Sequence, residues 1–368
     1  MNLLDEFIRD RRLIVLVGEG GVGKTSVAAS LALAAAESGR RTAVLTVDPA
    51  PRLGDALGLG PIGGHPQMVP LASGAKGSLV AMRLDGKGTF DRMVEKFAAD
   101  PERAQELLAN PIYHTLSGSL GGSEHYMAFQ RLYELAESDQ YDLLVVDTPP
   151  AANARDLLSA PSRLTDLLDS GAMSILAEPA RILARAGSAI VRASFSLILA
   201  VLKRVAGSSL QQQVSEFVAL FDDLLAGLAD RAKAIEALLR ADTTAFVLVA
   251  RPRPDSVTTT IEFRNALAEA GIQADALVIN RMTPRRPTDR AQARSKRLSG
   301  APEGALDAIT VMEREMDALR SLEAEAVTHL RQRAGGAQVL PIAALDSDVS
   351  TLHDIRGIAA RALAKPAA

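Results

Sequence analysis

Two rhythms of apolar and polar positions run along this chain. Short unbroken apolar runs recur at Leu13 to Val17, Thr42 to Val47, Ser78 to Leu84, Leu143 to Val146, Ala245 to Ala250, Ala274 to Asn280 and Gln338 to Pro341. Runs of this length, bounded by turn residues, predict strands buried on both faces of a parallel sheet. Between them lie longer stretches with helical spacing. Val22 to Glu37 is rich in Ala and Leu and stops at Gly39, which predicts a helix with a glycine beyond its C-terminus. Strand, helix and strand in that order predict a right-handed crossover. Because apolar runs occur at the start, middle and end of the chain, one sheet is expected to use the whole length.

Helical spacing is densest around the fourth run. Thr89 to Leu108 and Ser123 to Ala136 precede it, and Arg155 to Arg240 follows. Within the last, Val214, Phe217, Val218, Phe221, Leu224, Leu225 and Leu228 keep the i, i+3, i+4, i+7 spacing of an amphipathic helix. This much helix exceeds an ordinary crossover and predicts a helical subdomain built from insertions at about 88–136 and 155–240. Pro302 to Arg333 is a further helical stretch, dense in Glu and Arg.

Composition narrows the function. Of 368 residues, 48 % are hydrophobic, enough for a sizeable core. Lys and Arg number 41 against 44 Asp and Glu, a net charge of −3 that argues against a nucleic-acid binder. The chain has no cysteine, which excludes disulfides, a thiolate nucleophile, Cys-ligated zinc and iron–sulfur clusters, and fits a cytoplasmic setting. The five histidines (His65, His114, His125, His329 and His353) lack metal-ligand spacing. Met1 to Asp10 carries Asp5, Glu6, Arg9 and Asp10 and does not read as a signal peptide. The most apolar window, Ala193 to Leu202, is ten residues, against about 20 needed to span a bilayer. The expectation is therefore not an integral membrane protein.

The chemistry sits after the first apolar run. Gly18-Glu19-Gly20-Gly21-Val22-Gly23-Lys24-Thr25 matches G-x-x-x-x-G-K-[ST] between a predicted strand and a predicted helix. Glycines there let backbone N–H groups turn inward around phosphate oxygens, and the helix N-terminus adds positive potential. Gly20, Gly21, Val22, Gly23, Lys24, Thr25 and Ser26 are the expected nucleotide contacts, with Lys24 on the outer phosphates and Thr25 on Mg²⁺. Asp147 ends one predicted strand and is assigned to Mg²⁺. Asp48 ends another and is assigned to the attacking water. Ligands of open α/β sheets bind at that strand edge. The fold class is thus α/β: a P-loop NTPase, residues 1–368 as one domain, with a mostly parallel doubly wound sheet and an inserted α-helical subdomain.

The loop, Asp48-Pro49-Ala50-Pro51-Arg52-Leu53-Gly54-Asp55 and Asp147-Thr148-Pro149-Pro150-Ala151-Ala152-Asn153 resemble the phosphate loop and two switches of the ArsA/GET-type ATPases, which read G-K-G-G-V-G-K-T, D-P-A-H-N-L-S-D and D-T-A-P-T-G-H. The resemblance implies ATP and Mg²⁺ as ligands and a dimer whose helices rearrange with nucleotide state. It also implies an adenine-reading role for Asn280, with Pro341 flanking the base. In the family the first loop lysine reaches the partner's phosphates, and Glu19 replaces it here. Either a heterodimer with a lysine-bearing paralogue, a cationic role for Arg52, or slow turnover answers that change. The absence of thiols argues against arsenite transport. Targeting members of the family hold an apolar helical client. Ile190, Val191, Phe195, Leu197, Ile198, Leu199, Val201 and Leu202 cover nearly all sides of one predicted helix, which suits either a client surface or a buried core helix. The basic stretch Arg281 to Arg297 reads as a solvated arm. The function expected is a Mg²⁺-dependent dimeric ATPase with client handling, the alternative being a low-turnover nucleotide-switched scaffold in a heterodimer.

Overall fold

The computed structural model describes residues 3–48, 50–84, 86–98, 100–110, 113, 123–148, 230–284 and 305–364. Eight strands occur among them: β1 (Leu13–Gly18), β2 (Arg41–Thr46), β3 (Gln67–Met68), β4 (Ser78–Arg83), β5 (Leu143–Asp147), β6 (Thr244–Ala250), β7 (Ala276–Met282) and β8 (Gln338–Ala343). The helices are α1 (Leu3–Asp10), α2 (Lys24–Glu37), α3 (Arg52–Leu57), α4 (Gly86–Phe97), α5 (Pro101–Ala109), α6 (Ser123–Glu137), α7 (Pro254–Glu269), α8 (Ala305–Gln332) and α9 (Leu352–Leu363). Residues 230–240 are also helical.

The sheet order is β3-β4-β2-β5-β1-β6-β7-β8. From β2 to β8 every neighbouring pair is parallel, and β3 runs antiparallel to β4. All seven predicted apolar runs are strands. Two-residue β3 is too short to leave a periodic signal. β1 lies between β5 and β6, which the chain reaches only much later, so the strand order reverses at β1. Its carboxyl end is the edge where such sheets bind ligands.

The chain divides into two compact units: residues 1–82, 141–155 and 242–368, and residues 83–140 and 156–241. In the first, alternate strand residues such as Ile14, Leu16, Val145, Val247, Val278 and Leu340 pack with α1, α2, α3 and α9 into one core. The intervening strand residues face the other way, where α7 and α8 pack on β6, β1, β7 and β8. The sheet is therefore wound on both sides, as expected. α2 is buried nearly all round, from Val27 to Ala36, against β1, β2, β5 and α9. Its run of alanines lets those neighbours approach closely. α9 begins with Thr351, whose hydroxyl accepts from the Asp354 N–H while the Asp354 carboxylate accepts from the Thr351 N–H. Thr351→Ala is expected to lower stability by about 1 kcal/mol, the usual value of such a cap, read as a shift in urea midpoint at constant slope.

In the second unit α4 packs against α5 and α6. The predicted helical stretch from Thr89 to Leu108 is two helices. Asp100 accepts from the Arg103 N–H at 2.8 Å, and Pro101 occupies the first helical position, so a new helix starts there. Arg231 pairs with Glu137 at 2.8 Å and lies 4.7 Å from the Tyr133 ring centre, tying the 230–240 helix to α6. The amphipathic pattern 214–228, the apolar window 190–202, the second-switch residues 149–153 and the basic residues 285–297 lie outside the described residues. Among the described residues no helix is long and apolar enough to cross a membrane.

Candidate functional site

The loop between β1 and α2 has the backbone its glycines require. Gly21 and Gly23 have φ of 76° and 92°, left-handed values that a side chain resists. At Gly23 a Cβ would also fall on the side-chain nitrogen of Asn280. The turn opens α2 at its first residue, Lys24, so the loop amides and the helix N-terminus converge.

Lys24 is 6 % exposed. Its ammonium donates to the carbonyls of Gly18 (2.8 Å) and Glu19 (2.9 Å). Burial pushes its pKa down, opposed chiefly by the negative charges of Asp147 and Asp48. The next residue, Thr25, donates its hydroxyl to Asp147 Oδ2 at 2.7 Å. Thr46, at the end of β2, donates to the same oxygen at 3.2 Å. The other oxygen, Asp147 Oδ1, is buried and makes no hydrogen bond. Burial raises this carboxyl from 3.8 to about 6 despite both hydroxyl donors. A hydroxyl and a carboxylate with a free oxygen form a hard-donor pair suited to Mg²⁺, which takes one or two protein ligands and fills its shell with phosphate and water. No cluster of three or more acidic or histidine ligands occurs among the described residues, so an all-protein metal cage is not the arrangement there.

Asp48 lies two residues beyond β2, not at its last residue. Its backbone N–H donates to Thr46 Oγ1 at 3.2 Å, and its Oδ1 accepts from the Ala50 N–H at 2.9 Å. Its Oδ2 lies 3.4 Å from the guanidinium of Arg52, the first residue of α3. Thr148 donates to the Leu16 carbonyl at 2.7 Å and pins the end of β5 to β1. Sequence reading missed Thr46 and Thr148. Their signal is position: each sits at a strand end beside a singled-out aspartate.

Asn280 lies within β7, where pairing with β8 shifts register between Ile279 and Met282 and Arg281 takes a φ of 61°. Two residues beyond Val278, on the face that packs against α2, the Asn280 amide donates to the Val22 carbonyl at 2.9 Å and its oxygen accepts from the Arg281 N–H. A 390 Å³ cavity opens beside it, lined by Ser26, Asn280, Arg281, Ile358 and the segment 343–349. Pro341 lies inside edge strand β8 with its side chain exposed and does not line this cavity. An edge strand tolerates a proline because the missing N–H faces away from the sheet.

Lys24, Thr25, Asp48 and Asp147 therefore meet at one sheet edge, and Ser26 and Asn280 line the adjoining cavity. Against known proteins, residues 11–303 match the anion-transporting ATPase family, ArsA_ATPase. An uncharacterized protein of Streptomyces coelicolor is 34 % identical over 278 residues, 74 % of this chain and 63 % of that one. The ATPase GET3C of Arabidopsis thaliana is 24 % identical over 299 residues, 77 % of this chain and 70 % of its own length. The ATPase GET3 of Malassezia globosa is 31 % identical over 167 residues, covering 45 % and 47 %. The chain spans less than two thirds of the length of several curated relatives it matches.

Proposed function

The chain belongs to the anion-transporting ATPase family, and from that premise we propose that it binds ATP with Mg²⁺ and hydrolyses it, acting as a dimer in the cytoplasm. The observation that carries this reading is the hydroxyl–carboxylate pair of Thr25 and Asp147, seated one residue from Lys24 at the mouth of a glycine-turned loop. Loop amides and Lys24 hold the phosphates and offset charge that builds on them during transfer to water. Thr25 and Asp147 hold Mg²⁺, which when bound supplies charge neutralisation at the phosphates. Asp48 orients the attacking water and is itself held by the Ala50 N–H. Asn280 and Ser26 bound the space for the base. Nucleotide state is relayed to the helical unit, where an apolar helical client is the expected cargo. Arsenite is not the cargo of a chain without thiols.

Glu19 favours a second reading. A carboxylate at that loop position repels phosphates of a facing site, so the active assembly is a heterodimer whose other member carries a lysine there, and turnover of this chain alone is low. Calorimetry with ATP, with and without Mg²⁺, tests the first reading: binding strengthened by the cation is the expected result, and no heat at millimolar ATP overturns it. Phosphate release from the purified chain, alone and with a lysine-bearing relative, separates the two. Brisk turnover alone rejects the second.

A further inference from the structure

The described part of the loop site holds little positive charge. Lys24 acts amid three carboxylates, Glu19, Asp48 and Asp147, and a triphosphate adds several more negative charges. Lys24 also commits two of its three N–H groups to the loop carbonyls of Gly18 and Glu19. A further cation stands close by. Arg52 opens α3 and places its guanidinium 3.4 Å from Asp48, four residues back in sequence.

Its setting is that of a tethered but unburied group. Leu53, Gly54, Ala56 and Leu57 are buried, and α3 packs on α2, so the helix has a fixed seat beside the phosphate loop. A Cβ on Gly54 would overlap the Gly60 carbonyl, which shows how closely α3 is held. The Arg52 side chain is 62 % exposed, and Asp48 is 17 % exposed. An ion pair this open adds little to stability. The pairing therefore costs little to break when a stronger anion arrives.

We propose that Arg52 is a second cation for phosphoryl transfer at this site, held on Asp48 until transfer begins and delivered by the chain's own α3 to the terminal phosphoryl group as charge builds on it. Release of the guanidinium also frees Asp48 Oδ2 to accept from water, so one movement supplies the cation and exposes the carboxylate. The guanidinium carries charge in a fork that matches two phosphate oxygens, which an ammonium cannot match. The inference rests on the reading of the loop as a triphosphate site.

The test compares the wild-type chain with Arg52→Ala and Arg52→Lys, using a non-hydrolysable ATP analogue, ADP with aluminium fluoride, and single-turnover hydrolysis. Expected for Arg52→Ala is near-wild-type affinity for the ATP analogue. Affinity for the aluminium fluoride complex and the single-turnover rate fall together, by roughly 10³-fold as for other arginines acting on phosphoryl transfer. Arg52→Lys recovers part of the loss. Unchanged fluoride-complex affinity and rate in Arg52→Ala would overturn the proposal and leave Arg52 as a partner of Asp48 alone. Equal losses for both analogues would also overturn it, since they mark ground-state binding only. Failure of the wild-type chain to bind either analogue defeats the triphosphate reading itself, a distinct result.

Discussion

Lys24→Ala is expected to slow hydrolysis by two to three orders of magnitude and to leave the fold intact. The ammonium is the buried cation at the loop, and it is preorganised there by the Gly18 and Glu19 carbonyls. Loss of one preorganised charge or donor at a reacting centre costs roughly 3–4 kcal/mol, or two to three orders of magnitude in rate. The folded chain loses far less. Burial opposes the charge on Lys24, so removing it relieves a desolvation cost while freeing two carbonyls at the loop. Nucleotide calorimetry, single-turnover hydrolysis and a urea melt on the same preparation check this. Wild-type affinity and rate in the variant would remove the loop from the chemistry.

Asp147→Asn is expected to lose magnesium-dependent nucleotide binding and, unusually for a buried substitution, to gain stability at neutral pH relative to acid. Burial raises the folded-state carboxyl to about 6 from 3.8. A carboxyl raised on folding stabilises the folded state while protonated. That contribution is present below the unfolded value, is lost as pH rises through the window from about 4 to 6, and is gone above it. A shift of this size corresponds to about 3 kcal/mol in full. Asparagine does not ionise, so it escapes the loss. It does place an amide nitrogen where Oδ1 lacks a partner, a fixed penalty of about 1–3 kcal/mol. That penalty cancels when the variant is compared with itself at two pH values. The stability difference between variant and wild type should shift in the variant's favour by about 2 kcal/mol between pH 4 and pH 8. Urea melts without magnesium at both pH values measure it. No shift would mean the carboxylate is solvated. The same ionisation gives the wild type weaker magnesium-supported ATP binding below pH 6.

Much of this was legible before any coordinates. Parallel strands buried on both faces leave unbroken apolar runs, so seven of the eight strands announce themselves. The phosphate loop is legible because its chemistry is local: glycines, a lysine and a threonine in eight consecutive residues. What depends on distant partners was not. Thr46 and Thr148 become site residues only once β2, β5 and β1 lie side by side. Asn280 was singled out, but its bond to Val22 spans 258 positions and exists only once β7 lies beside the phosphate loop. Pro341 does not line the cavity beside Asn280. One residue of pleat decides which way a strand side chain points, and Pro341 falls between Leu340 and Ile342, which take the face toward α2. The break at Asp100-Pro101 was readable from its capping chemistry, yet helical spacing on both sides obscured it.

The sealing of α2 has a mechanical corollary. A rod lined by alanines and packed against strands on one side and α9 on another has little room to tilt. The phosphate-loop end of that rod is then a fixed reference. Displacement on loss of an outermost phosphate is then expected of the turn after β2 rather than of the rod; there the Asp48 N–H is held by the Thr46 hydroxyl and the Ala50 N–H by the Asp48 carboxylate. Thr46→Val, which removes the hydroxyl from both the Asp48 N–H and Asp147 Oδ2, is then expected to loosen that turn and the site carboxylate while leaving α2 in place.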